Sequence, residues 1–153
     1  MKAVRIKISS SNKYCAQEPA EKIELISFGK LTEKNGKYYV RYDETEASGL
    51  AGTRTTIKWD EERVVVIRTG SLEHRQEFAA GLLSHSLYQT PYLKLSMDTL
   101  TRKLKIAGSG CSWTIRLEYD LLYDEREENH INLSIEIEED KQGEYQGYVG
   151  SEC

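Results

Sequence analysis

Residues 37–69 read KYYVRYDETEASGLAGTRTTIKWDEERVVVIRT, and this stretch decides the fold. Two runs of alternating polarity flank a Gly/Ser-rich connection, and a third run follows at once. Side chains alternate faces along a strand, so each run presents one face to a core and one to solvent. The four residues Asp60-Glu61-Glu62-Arg63 form the turn between the second and third runs. A two-residue loop there pairs Trp59 with Val64, Ile57 with Val66 and Thr55 with Arg68. That register buries a column of Ile57, Trp59, Val64 and Val66 and points Arg68 into the same interior. A slip of one residue would instead send Arg68 out and bring Val65 and Ile67 in.

Just upstream, IELISFGKLTEK (23–34) meets KYYVRYDE across Asn35-Gly36. Asn-Gly between alternating runs is a strong hairpin signal, because a type I′ turn needs positive φ at both central positions. The turn sets Leu31 against Val40, Glu33 against Tyr38 and Gly29 against Tyr42, where the ring lies over bare backbone. Ile26 and Phe28 then fall on the face opposite Leu25 and Ile23. Either that strand is apolar on both sides or a bulge near Ser27 switches it.

Further out, Val4, Ile6 and Ile8 alternate with Arg5 and Lys7, and SSSNKYCAQEPAE (9–21) connects that strand to the next. After Gly70, EHRQEF turns at Ala79-Ala80-Gly81 into LLSHSLYQ. Pro91 marks a bend before LKLSM and TLTRKLKIAG, and Gly108-Ser109-Gly110 turns into CSWTIRLEYDLLY (111–123). There Trp113, Ile115, Leu117, Tyr119 and Leu121 share a face. In HINLSIEIEE (130–139) the residues Ile131, Leu133, Ile135 and Ile137 share another, and an even-sum register buries both together. About ten strands at hairpin spacing without crossover helices predict an all-β, antiparallel, up-and-down barrel or sandwich, and long strands such as 112–123 favour the barrel. The barrel is expected over residues 1–139, with 140–153 a mobile tail.

The chain has 153 residues, 39% hydrophobic and 30% charged, as expected of one globular domain. A net charge of −4, with Lys and Arg interleaved among Asp and Glu, argues against a nucleic-acid partner. No apolar run is long enough to span a bilayer as a helix, and the charged N-terminus lacks a secretory core, so a cytoplasmic protein is expected. Cys15, Cys111 and Cys153 form no CxxC pair and read as reduced thiols.

The strings VRYDETEASGLAGTRTTIKW, VVVIRTG, YQTPY and IRLEYDLLY, in this order between Phe28 and Glu139, resemble the YwiB-like family of calycin-like β-barrel proteins. The sequence departs from the family's pattern at Leu93, where a glycine tends to follow the TPY motif. The resemblance implies a barrel related in shape to lipocalins and fatty-acid-binding proteins, found mostly in Gram-positive bacteria. It implies no catalytic residues and no cofactor.

A barrel of this size holds one small ligand or is filled by its own side chains. The first option assigns Arg68, with Thr55 or Tyr42, to the polar end of a small apolar or amphipathic ligand, and Ile57, Val66, Leu117 and Tyr119 to its body. The bland alternative pairs Arg68 internally with Glu44, Glu46 or Glu118. Ser48, Gly49 and Gly52 belong to a rim loop that lacks the lysine and helix of a phosphate loop. His74 and His85 share a face in one register but lack a third ligand, so no metal site is expected. Tyr88, Thr90 and Tyr92 rim a pocket or pack a bend. The second functional option is a non-enzymatic protein-interaction barrel with a filled core, monomeric or homodimeric, using outward Ile26, Phe28, Val65 and Ile67. No catalytic constellation is visible in the sequence, and no enzyme is expected.

Overall fold

Asn35 and Gly36 both adopt positive φ, 54° and 76°, and close a tight hairpin with Leu31 opposite Val40 and Glu33 opposite Tyr38. This is the turn chemistry expected of Asn-Gly. The computed structural model describes residues 1–13, 20–123 and 127–141. Ten strands follow one another: β1 (Lys2–Lys13), β2 (Glu21–Lys34), β3 (Lys37–Asp43), β4 (Thr53–Trp59), β5 (Val64–Gly70), β6 (His74–Phe78), β7 (Leu83–Gln89), β8 (Lys94–Ser109), β9 (Ser112–Tyr123) and β10 (Glu127–Glu139). Except for β6 and β7, each strand pairs antiparallel with its neighbours in sequence, and β1 pairs with β10. The sheet therefore curls into a nearly closed barrel whose two end strands are β6 and β7.

Those ends meet through one pair of backbone bonds, Glu73 N–H to the Gln89 carbonyl at 2.8 Å and the reverse at 3.0 Å. Below it, side chains bridge the seam: His74 Nε2 lies 2.9 Å from Ser86 Oγ, and Gln76 Nε2 donates to Thr99 Oγ1 at 3.0 Å.

The registers across 37–69 are those the alternation predicts: Trp59 faces Val64, Ile57 faces Val66 and Thr55 faces Arg68. Asp60 holds its own turn, its Oδ1 accepting from the backbone of Glu62 and Arg63 at 2.9 Å each. The last hairpin also has its even-sum register, from Ile131–Tyr119 to Ile137–Trp113. The β1–β2 ladder runs from Lys2–Leu31 to Asn12–Glu21 without a register shift. There is thus no bulge at Ser27, and β2 is apolar on both faces. The irregularity lies instead in β8, where the register slips between Thr101 and Lys103 and extrudes Arg102.

One end of the barrel is plugged. Trp59, Tyr38 and Trp113 form an aromatic cluster with ring centroids 4.4–5.7 Å apart near the 35–36, 60–63 and 110–111 turns. Val4, Ile6, Val40, Ile57, Phe78, Ile115 and Ile137 continue the core away from it. Each such side chain contributes roughly 1.5–3 kcal/mol by leaving water.

Two expectations about the surface and the thiols are corrected. Val65 points outward yet is only 6% exposed, and Ile67 is half-buried, while Ile26 (51%) and Phe28 (60%) stand open. With β3 and β4 between β2 and β5, these four residues do not make one patch. Cys111 is buried and disulfide-bonded, not a reduced thiol, and its partner lies outside the described residues. Residues 124–126, and residues 142–153 of the expected 140–153 tail, also lie outside them. Among the described residues, no helix is long and apolar enough to cross a membrane.

Candidate functional site

The ladders stack three inward-facing rows across β3 to β6. Next to the plug lies Tyr38–Trp59–Val64–Phe78, then Val40–Ile57–Val66–Gln76, then Tyr42–Thr55–Arg68–His74. Alternation dictates this, because each row is two residues from the last on every strand. The interior therefore changes from aromatic to aliphatic to polar toward the end bearing the 44–52 loop. The expected residues Tyr42, Thr55, Arg68, Ile57 and Val66 all belong to these rows, and Leu117 and Tyr119 face inward from β9.

Arg68 is half-buried, and its Nε has no hydrogen-bond partner among the described residues. Among the described residues it makes no salt bridge. Of the three expected internal partners, Glu46 is exposed on the rim loop and the other two are engaged elsewhere. Glu44 accepts from Thr55 Oγ1 at 2.8 Å, and Glu118 sits on the outer face near Lys103 and His130. Around Arg68 stand groups that carry no charge at neutral pH. Burial pushes the Tyr119 phenol up to about 12, with the Arg68 charge opposing it. Burial and the Glu44 charge raise Tyr42 well above the ordinary phenol value, again against Arg68. Burial, then the Arg68 charge, takes His74 down to about 4.

His74, weighed in the sequence only together with His85 as the start of a metal site, is buried in the interior instead. It is 6% exposed, laddered to Arg68 and held by Ser86, with the Tyr88 ring edge-on at 5.4 Å. The two histidines do not share a face: His85 is exposed and pairs with Asp98 at 2.7 Å. Extending the Arg68 parity across the 70–73 turn would have placed His74 and Gln76 inside. Among the described residues, no cluster of His, Cys, Asp and Glu is arranged to hold a metal.

The rim loop contains one 3₁₀ turn, Glu46–Ser48, ended by Gly49 at φ 76°. Gly52, at φ 87°, runs so close to the β5–β6 turn that a Cβ would lie 2.5 Å from Ser71 Oγ. Tyr92 is fully exposed at the 90–93 turn, and only Tyr88 of its trio joins the interior.

Other features lie on the outer wall. A groove of about 1020 Å³ lies over β1–β4, lined by Phe28, Lys30, Tyr39, Arg41 and Arg54. A smaller one, about 380 Å³, lies over the Ser9, Ser11, Asn132 and Ser134 rows. Asp120 faces outward but is 3% exposed, covered by bulged Arg102 at 2.5 Å and by His130 Nδ1 at 2.6 Å. Burial alone would raise its carboxyl, but the two hydrogen bonds and their charges hold it below the usual range.

The family model described as Domain of unknown function (DUF1934) matches residues 6–135. The chain belongs to this family. One relative is the "Uncharacterized beta-barrel protein YwiB" of Bacillus subtilis (strain 168), 26% identical over 118 residues, covering 77% of this chain and 82% of the relative. The crystal structure of ywiB protein from Bacillus subtilis superposes with a TM-score of 0.80 at 22% identity, covering 92% of this chain and 93% of that one. At that identity the likeness establishes the barrel. Function in this family has to be argued from the residues themselves.

Proposed function

We propose that the protein is a non-catalytic binding barrel that takes a small amphipathic ligand at its polar end. Arg68 meets the ligand's charged group, Thr55 and Tyr42 flank it, and Ile57, Val66, Leu117 and Tyr119 line the apolar side. The observation that carries this reading is the Arg68 guanidinium on an inward row, its Nε buried and, among the described residues, without a partner or a carboxylate in ion-pair contact. Such a group costs stability unless something anionic meets it. A catalytic role has less support. Ser86 and His74 are bonded, but among the described residues no carboxylate contacts His74 Nδ1 to orient the ring as a general base.

The test is a thermal-shift and calorimetric titration of the full chain with decanoate, decylamine and decanol, on wild type and Arg68→Ala. Wild type should be stabilised by decanoate and not by the amine, and Arg68→Ala should lose most of the effect. Equal shifts in both proteins, or none in either, would remove the reading.

A second reading, protein interaction, is favoured by Ile26 and Phe28. Both stand exposed on the part of β2, Glu21–Gly29, that pairs with β1 but not with β3. An unpaired, apolar strand edge invites another chain. Light scattering coupled to size exclusion decides it for self-association: a monomer across micromolar concentrations would exclude a homodimer.

A further inference from the structure

Arg68 is not alone in lacking a partner. Among the described residues, His74 Nδ1 is also buried and unbonded, on the residue directly opposite Arg68 in the β5–β6 ladder. Its other nitrogen, Nε2, is taken by Ser86 Oγ, and the edge-on Tyr88 ring borders the imidazole. Of the neighbouring side chains, Gln76 is bonded to Thr99 and Thr55 to Glu44, while the Thr53 and Thr101 hydroxyls are also buried without a partner among the described residues. Two unmatched nitrogens on adjacent strands, at the same level of the same wall, are a pattern that packing alone does not require.

We infer that His74 is the second donor of the ligand site, so that Arg68 Nε–H and His74 Nδ1–H together grip one oxyanion, and that this oxyanion is a carboxylate. The inference rests on the interior-ligand reading above and adds to it a residue, a tautomer and a ligand class. Neutral imidazole has one N–H and one bare nitrogen. The Ser86 hydroxyl can donate to Nε2, which leaves the proton on Nδ1, toward the side that lacks a protein partner. The charge count gives the class. Arg68 contributes one positive charge and His74 none, since burial and the neighbouring guanidinium keep it neutral at pH 7. The Glu44 carboxylate receives the Thr55 hydroxyl. One cation with donors around it matches a planar monoanion. A phosphate dianion would leave a charge uncompensated in a largely buried place.

The experiment uses the full chain, labelled with ¹⁵N-histidine, titrated with decanoate and separately with inorganic phosphate. Wild type, His74→Phe, Ser86→Ala and Arg68→Met are compared. At saturating decanoate, the His74 ring nitrogens should report the Nδ1–H tautomer. His74→Phe should weaken decanoate roughly tenfold or more, the usual loss for one hydrogen bond to a charged acceptor. Ser86→Ala, which leaves Nδ1 in place, should shift the tautomer balance and weaken binding less. Phosphate should bind more weakly than decanoate. If decanoate binding depends on Arg68 while His74→Phe binds within twofold of wild type and the ring stays Nε2–H, this inference falls and the interior-ligand reading stands. Tighter phosphate than decanoate overturns the carboxylate assignment. Decanoate binding to no variant and not to wild type brings down both readings together. Should His74→Phe not fold, the wild-type tautomer and the Ser86→Ala titration decide.

Discussion

Replacing Arg68 with methionine keeps an unbranched stem against the β4–β6 wall and removes the guanidinium. Its Nε is buried without a partner, and no acid lies in ion-pair range among the described residues. A buried unsatisfied polar group costs about 1–3 kcal/mol, and the part exposure of Arg68 gives its outer nitrogens water, so the lower end applies. Arg68→Met should therefore stabilise the ligand-free protein by about 1 kcal/mol, which for a chain of this size raises Tm by roughly 2–4 °C. The same change should raise the His74 pKa from about 4, because Arg68 is one of the two causes of its depression. It should not restore 6.5, because burial, the larger cause, remains. Urea unfolding and a ¹H–¹³C NMR titration of the His74 ring measure the two effects on one protein. Loss of more than about 1 kcal/mol, at the scale of a broken charged hydrogen bond, would show that Arg68 is internally paired in solution. That would refute the unpaired-guanidinium argument.

Two more predictions follow from the geometry. With its folded-state pKa near 4 against 6.5 unfolded, His74 takes up its proton later in the folded chain than in the unfolded one. Stability should fall as pH drops from about 6.5 to 4, by about 3 kcal/mol in total, and His74→Phe should flatten that part of a urea-midpoint profile. At Gly29, an added Cβ would lie 2.3 Å from the Arg41 carbonyl oxygen and 2.9 Å from Tyr42 Cβ. Gly29→Ala should cost about 1–3 kcal/mol by forcing β2 and β3 apart, with the Tyr42 ring resonances shifting most, and unchanged stability would show that the fork yields.

Why some of this was legible and some not has a physical basis. Strand registers were readable wherever a short turn with defined chemistry fixed them. Asn35-Gly36 and Asp60–Arg63 did so, and the paired rows up to Tyr42–Thr55–Arg68 then followed from period-2 geometry. The family resemblance covered the same residues and agreed with the barrel, which the matched family and the YwiB structure support. The row's last member, His74, was lost because the 70–73 turn has no comparable signature, so parity could not be carried across it. Arg102 was lost for a similar reason: no glycine or proline marks the slip in TRKLKI, and its only trace is that the apolar positions pass from odd (Leu95, Met97) to even (Leu104, Ile106). Val65 looked like surface because alternation tells direction and not coverage. The Asp120 cluster depends on a slip in one strand meeting two others, which no local pattern contains.

The distribution of polarity inside the barrel bears on function more than any one residue does. A barrel selected only to be stable would fill both ends as it fills the Trp59 end, where aromatic rings meet at 4.4–5.7 Å. Here the opposite end is built from Tyr42, Thr55, Arg68 and His74 on one wall, with Ser86 and Thr99 across the seam, all at positions that alternation assigns to the interior. Most of these groups are matched to one another, which shows that the fold can satisfy polar atoms there. Other buried polar atoms also lack a partner among the described residues, Trp59 Nε1 and Thr53 Oγ1 among them, but the Arg68 and His74 nitrogens are set apart by belonging to directly opposed residues, His74 on the strand that borders the β6–β7 seam. The seam is the one junction joined by a single bridge and side chains where every other junction has a ladder. Two unmatched donors set face to face, adjoining the weakest join in the wall, are where a ligand site is expected.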